Sequence, residues 1–307
     1  RRFELLVITH VDGDHIEGVV RLLAGRRRDF LFQDIWFNGW RHLDEARGIL
    51  GPLQGEFVST LVARVMRKQG WNGAEPFRGG TIQTGEGALP VSGFEGGMAV
   101  TLLSPDGEKL ARLREVWKRE VEEKGFSPGD LKTALSRLKQ ERRLAPEGLL
   151  GGSFQEKGGR VPLDDSVANG SSIAFLAKCG GKSCLFLGDA HPDVLAASLR
   201  KVNGGRKVQV GAVKLSHHGS QGNTTDELLG LFDCKTFLIS TNGNQFDHPV
   251  EETLDRICAH AGPDVELHFN YRTDKVKAWE ARARRSRLLR KEPQYPKKQG
   301  EGIILAL

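Results

Sequence analysis

Four polar clusters in this chain combine residue types that bind metal or move protons, and each follows an apolar run. The first reads Thr9-His10-Val11-Asp12-Gly13-Asp14-His15, with four potential metal ligands inside six residues. In an extended loop His10, Asp12 and Asp14 project to one side while His15 opens the next helix. One short loop can then offer two pairs of ligands to two adjacent cations, and two-metal hydrolysis sets its ions about 3.5–4 Å apart. An acidic turn with Asp14 near a helix N-cap is the structural alternative, and it leaves the two histidines unexplained. The second cluster is Leu187-Gly188-Asp189, where Gly allows close backbone approach and Asp189 can sit between two cations. The third, Lys214 to Ser220, contains the adjacent pair His217 and His218. Neighbouring side chains are expected to point in different directions, one His toward metal and the other toward substrate. The fourth runs from Asn244 to His248-Pro249 and opens a helix.

The elements that position these clusters follow from hydrophobic patterning. Phe3–Thr9 is a nearly continuous apolar run, expected as a strand buried on both faces. Apolar residues at helical spacing predict helices over 15–23, 43–50, 57–67, 192–201, 225–231 and 250–260. Strands are expected at 31–37, in pieces of 81–105, and at 172–178, 183–187, 208–215, 236–240, 265–269 and 302–307. Residues 107–144 are rich in Lys, Arg, Glu and Leu at helical spacing and predict a charged helical insert, with Ser127 and Asp130 as a helix start. Alternation of strands with helices makes the fold class α/β. Each cluster falls at the carboxyl end of a predicted strand, so all four should converge on one sheet edge.

Composition excludes several classes. With 307 residues, 38% hydrophobic and 27% charged, the chain is too apolar for a disordered protein. No apolar run approaches the ~18 residues of a membrane span, so no membrane partner is expected. The chain lacks an initiator Met and begins almost inside a strand, as a segment of a longer protein would. Four cysteines do not make a disulfide framework. Cys179 and Cys184 could pair across a Gly-Gly-Lys turn, but reduced thiols and a cytoplasmic location are the expectation. Charge is uneven. Between Arg272 and Lys298 eleven Lys or Arg face three acids, +8, leaving −2 for the rest of a +6 chain. That basic segment is the candidate nucleic-acid contact, with Trp279 as a stacking surface beside the cations. The bland alternative is a solvated excursion.

The ordered set His-x-Asp-x-Asp-His, Asn-x-Ser (Asn169, Ser171), Gly-Asp, Lys-x-x-His-His-Gly-Ser and Asn-x-x-x-His-Pro resembles the metallo-β-lactamase superfamily. It is most similar to the hydrolase-domain branch of the ComEC competence proteins. The resemblance implies an αββα sandwich over a single domain, 1–307, interrupted by the insert 107–144 and by the basic segment 272–298 before the final strand. The superfamily's N-terminal strands are missing from it. It implies a dinuclear site in which His10 and Asp12 hold one metal, Asp14 and His15 the other, Asp189 bridges and His217 completes the set. Asp14 would also orient the nucleophile. His218 and His248 would lie near substrate, with Lys214 and Asn244 as supports. Asp12 stands where most of the superfamily has His, and Asn169 and Ser171 where a further His ligand is usual. A carboxylate in place of imidazole makes the site harder, moving preference from Zn²⁺ toward Mn²⁺ or Mg²⁺. Two divalent ions, Zn²⁺ or Mn²⁺, are the expected cofactors.

The function these readings support is a metal-dependent phosphodiesterase, a nuclease first of all. The alternatives are a hydrolase of a small ester, phosphocholine-type diester or lactone on the same fold, and a non-catalytic binding or regulatory subunit. Fold alone does not choose among them.

Overall fold

The computed structural model describes residues 1–24, 30–43, 53–65, 70–123, 130, 132–134, 136, 163–243, 248–298 and 301–307. They fall into two compact units. The first lies within Arg1–Gly96, Pro105–Phe154 and Ser166–Ile173, the second within Gly97–Ser104, Gln155–Asp165 and Ala174–Leu307. The chain is mixed α/β. No helix among the described residues is long and apolar enough to cross a membrane.

In the first unit strand β1 (Arg2–Val7) leads through helix α1 (Gly13–Ala24) to strand β2 (Leu31–Trp36). The two strands pair in parallel from Arg2↔Leu31 to Val7↔Trp36. Burial on both faces is the expectation for β1, but Phe3 is 41% exposed. The reason is that β1 and β2 form a two-stranded sheet, which covers less of each strand than a central position would. Helix α1 buries Ile16, Val20 and Leu23 along one stripe. They join Ile35, Phe37, Val58, Leu61, Val62 and Trp71 in one core. Helix α2 (Trp40–Leu43) is short, and of the expected helix 43–50 all but Leu43 lies outside the described residues. Helix α3 (Leu53–Val65) supplies Val58, Leu61 and Val62. Strand β3 (Val91–Gly93) follows. Helix α4 (Gly107–Glu123) is the charged segment, yet Leu110, Leu113 and Trp117 are buried. Trp117 meets Trp40 at 6.2 Å between ring centroids. A Cβ on Gly55 would stand 2.5 Å from Trp117 Cζ2, so this approach requires glycine in α3. Most of 124–144, Ser127 included, lies outside the described residues. Helix α5 (Val167–Gly170) closes the unit, its N-terminus capped by Ser166.

In the second unit β4 (Ala99–Ser104), β5 (Ala174–Cys179) and β6 (Lys182–Phe186) pair antiparallel. Then β6, β8 (Ala212–Lys214), β10 (Thr236–Ile239) and β11 (Glu266–Phe269) run parallel. The expected strand 208–215 is two pieces. β7 (Val208–Gln209) pairs with β9 (Phe232–Asp233), and β8 pairs with β6 and β10. The switch falls at Gly211, whose N–H bonds Ser183 O at 3.0 Å and where a Cβ would meet that oxygen at 2.9 Å. Helices α6 (Pro192–Val202), α7 (Asp226–Leu229), α8 (Glu251–Ala261) and α9 (Asp274–Arg285) alternate with these strands. The expected final strand, 302–307, is irregular, and Ile304 is 99% exposed. Its apolar composition finds no strand partner among the described residues. Cys179 is exposed, Cys184 is buried, and the two are thiols rather than a disulfide.

Candidate functional site

The expected extended loop ends early, since α1 begins at Gly13 and takes Asp14 and His15 into its first turn; His10 in the loop and His15 in the helix meet at a shared neighbour. Thr9 Oγ1 lies 3.1 Å from His10 Nδ1 and 3.0 Å from His15 Nδ1. One hydroxyl can donate to one ring and accept from the other. The ring centroids stand 4.1 Å apart. Each remaining ring nitrogen faces a nearby carboxylate: His10 Nε2 is 3.5 Å from Asp12 Oδ2, and His15 Nε2 is 3.6 Å from Asp14 Oδ2. Ser172 Oγ also reaches His10 Nδ1 at 3.0 Å. Ser171, named in the sequence motif, instead bonds back to Ala168 O at 2.6 Å within its own turn. Asn169 is buried beside it.

The second unit gathers its residues at the carboxyl ends of its parallel strands, where an open α/β sheet places its ligands. Beyond β6 the chain turns at Gly188, whose φ of 53° suits glycine, and presents Asp189, 3% exposed. Beyond β8 it enters a short turn over Ser216–Gly219. There His217 (φ 43°, ψ 52°) and His218 (φ 55°, ψ 17°) both hold left-handed conformations. Such backbone costs roughly 1–3 kcal/mol per residue and concentrates at functional sites. It also defeats the expectation that the two rings diverge. His217 Nε2 lies 4.0 Å and His218 Nε2 3.9 Å from the same oxygen, Asp189 Oδ2.

Their other ring nitrogens are committed. His218 Nδ1 meets the carbonyl of Ser240, beyond β10, at 2.5 Å. A carbonyl only accepts, so Nδ1 carries the proton and the neutral ring's lone pair is at Nε2. Asn223 does the same for His217. Its Nδ2 donates to Asp189 O (3.2 Å), Ala190 O (3.3 Å) and Asp164 Oδ2 (2.8 Å), which turns Oδ1 toward His217 Nδ1 at 3.0 Å. Asp164 Oδ2 is 3.3 Å from His217 Nδ1, and Asp164 Oδ1 is 3.8 Å from His191 Nε2. Burial opposes charge on His217, but the Asp164 hydrogen bond, the Asp189 carboxylate and Asn223 outweigh it and raise its pKa to about 9. His248 stacks edge-on to His217 at 5.2 Å between centroids. Burial, then His217 and His218, lower its pKa to about 4. Lys214 donates to Leu215 O at 2.9 Å, and burial depresses its pKa against the pull of Asp189.

The structure therefore assembles Asp189, His217, His218, His248 and Lys214 in one unit and His10, Asp12, Asp14 and His15 in the other. Asn244 lies outside the described residues. Motif reading missed Asp164, His191 and Asn223. His191 follows Asp189 by two residues and Asn223 follows His217 by six, a proximity that marks them only once the turn is known. Asp164 has no sequence signal at all.

The basic segment is largely spoken for. Trp279 is 0% exposed, and its Nε1 donates to Asp255 Oδ1 at 2.8 Å, so it offers no stacking face. The helical register that buries Val276 and Ala283 turns it inward too. Arg282 forks onto both Asp255 oxygens at 2.9 Å, Arg284 pairs with Glu292 at 2.8 Å, Arg290 with Asp264 at 3.2 Å and Lys291 with Glu266 at 2.5 Å. Arg272 lies over the Tyr295 ring at 5.0 Å. Arg285 and Arg287 are exposed.

No family model matches the chain. It is similar to ComE operon protein 3 of Bacillus subtilis (strain 168), at 27% identity over 99 residues, 32% of this chain. That match spans 12% of the relative's length.

Proposed function

We propose that this chain is a metal-dependent hydrolase of phosphodiester bonds acting on nucleic acid, with an αββα fold of the metallo-β-lactamase type. One observation carries the metal reading: His217 and His218 each donate through Nδ1 and turn Nε2 toward the same Asp189 oxygen, at 4.0 and 3.9 Å. Nitrogen and oxygen so spaced are too far apart to hydrogen-bond, and the two rings must close in before one divalent cation, with bonds of about 2.0–2.2 Å, meets all three atoms. An Nδ1–H held by a carbonyl or carboxylate is the usual second contact of a metal-ligating histidine. The resemblance assigns metal-ligand roles to His10, Asp12, Asp14 and His15 as well, His10 standing beside Asp12 and His15 beside Asp14. Two ions per chain, Zn²⁺ or Mn²⁺, follow from that count.

Bound divalent ions supply hydroxide at neutral pH by lowering the pKa of water, and they neutralise charge on the phosphoryl oxygens. The chain's own groups do the rest. The buried Asp189 is an acceptor for cation or proton. Asp189 favours charge on the buried Lys214, against the larger effect of burial, which lowers its pKa. His248, with its pKa near 4, is neutral at pH 7 and offers a hydrogen bond to substrate rather than a full proton. Similarity to ComE operon protein 3 favours the ComEC-like branch. A second reading, a hydrolase of a small ester or phosphodiester, is favoured by the ion pairs that occupy Arg282, Arg284, Arg290 and Lys291. Incubation with Mn²⁺ or Zn²⁺, labelled single- and double-stranded DNA and a chromogenic phosphodiester separates the two. Metal-dependent cleavage of DNA supports the first reading, and cleavage of the small ester alone supports the second. No retained metal and no turnover refutes both.

A further inference from the structure

Asp164 touches both sides of the histidine network and belongs to no motif. Its Oδ2 receives Asn223 Nδ2 at 2.8 Å and faces His217 Nδ1 at 3.3 Å, and its Oδ1 stands 3.8 Å from His191 Nε2. The side chain is 9% exposed, in a place where an ionised carboxylate persists only with compensating donors. Asn223, fully buried, cannot reverse its amide, because the atoms facing Nδ2 are acceptor oxygens: the carbonyls of Asp189 and Ala190 and Asp164 itself. Asp164 and Asn223 thus present two oxygens to one ring nitrogen.

We propose that Asp164 is the positioning residue for His217: with Asn223 it holds the proton on Nδ1, orients the ring and leaves Nε2 as the metal-binding atom. The inference rests on the metal reading above and deepens it. Replacing the carboxylate by an amide withdraws the negative charge beside His217 Nδ1 and one of its two oxygens. Loss of an outer partner of this kind typically weakens metal affinity about 10–100-fold. His191 Nε2 stands 3.8 Å from the other oxygen of Asp164.

The test uses the full chain. Zn²⁺ affinity is measured by competition with a chromogenic chelator for wild type, Asp164→Asn and Asp255→Asn, the last a matched removal of a hydrogen-bonded carboxylate elsewhere in the same unit. Asp164→Asn is expected to bind Zn²⁺ about 10–100-fold more weakly, while Asp255→Asn keeps wild-type affinity. Long-range ¹H–¹⁵N spectra of histidine-labelled, Zn²⁺-loaded wild type should show His217 protonated at Nδ1 and coordinated through Nε2. That measurement stands even if the Asp164 variant does not fold. Coordination through Nδ1, or wild-type affinity in a folded Asp164→Asn, overturns the assignment while the metal reading survives. A wild type that binds no Zn²⁺ or Mn²⁺ overturns the metal reading, and this inference with it.

Discussion

Stripped of metal and taken from about pH 6.5 to about pH 9.5, the chain is expected to lose about 3 kcal/mol of folding stability through His217. Burial resists charge on this ring, but the Asp164 hydrogen bond, Asp189 and Asn223 raise its pKa from 6.5 to about 9. A folded-state pKa above the unfolded value means that the folded chain keeps a proton the unfolded chain has released. The contribution is complete below the unfolded pKa and is lost as pH rises through the folded one. At 1.36 kcal/mol for each tenfold change in proton affinity, the displacement corresponds to about 3 kcal/mol. His248 acts with the opposite sign. Its pKa is lowered to about 4 by burial and then by His217 and His218, so its contribution is present above the unfolded value and is lost as pH falls through about 4. The two contributions taken together are largest near pH 6.5. The assay is urea unfolding in EDTA at closely spaced pH values, for wild type and for His217→Gln. The variant should flatten the alkaline limb and reduce the acid limb less, because burial outranks His217 as the cause of the His248 shift. Parallel slopes for the two proteins between pH 6.5 and 9 would refute the reasoning.

Asp189→Asn removes the oxygen that both Nε2 atoms face. It is expected to lower Zn²⁺ or Mn²⁺ affinity at least about 10-fold and abolish hydrolysis, as metal analysis and turnover will report. Because His217 and His218 stand equally far from that oxygen, alanine at either is expected to cost metal, not only His217→Ala. A His218→Ala protein with full metal and no turnover would return that side chain to substrate. Asp255→Ala strands the fully buried Trp279 N–H and should cost about 1–3 kcal/mol in chemical denaturation. If the basic segment binds DNA, changing the exposed Arg285 and Arg287 to Glu should weaken binding and shallow the log–log salt slope by about 0.9 for each phosphate no longer neutralised, with metal content unaltered.

Much of the fold and of the candidate site was legible in residue order. His10, Asp12, Asp14 and His15 crowd one short stretch after an apolar run, and Gly188-Asp189 and Lys214 to Ser220 each end one. A strand's carboxyl end is set by local pattern, so the placement of these residues at strand ends needed no knowledge of their partners. Helix α1 and the helices α6 and α8 were likewise readable from 3.6-residue spacing, because one stripe of each is buried. What the sequence could not carry were features set by neighbours distant along the chain. Whether Trp279 faces solvent depends on Asp255, 24 positions away, which holds its indole N–H. The charge of the basic segment looks available until Asp255, Asp264 and Glu266 come alongside it. The directions of His217 and His218 follow from two consecutive left-handed residues, a conformation uncommon outside glycine, held by the Ser240 carbonyl and by Asn223. The importance of Asp164 exists only through its meeting with a ring 53 positions later in the chain. Strand edges and charge runs are local sums, and sequence determines them directly. Which acceptor satisfies a buried nitrogen is decided by tertiary structure, because only there does desolvation make that partner obligatory.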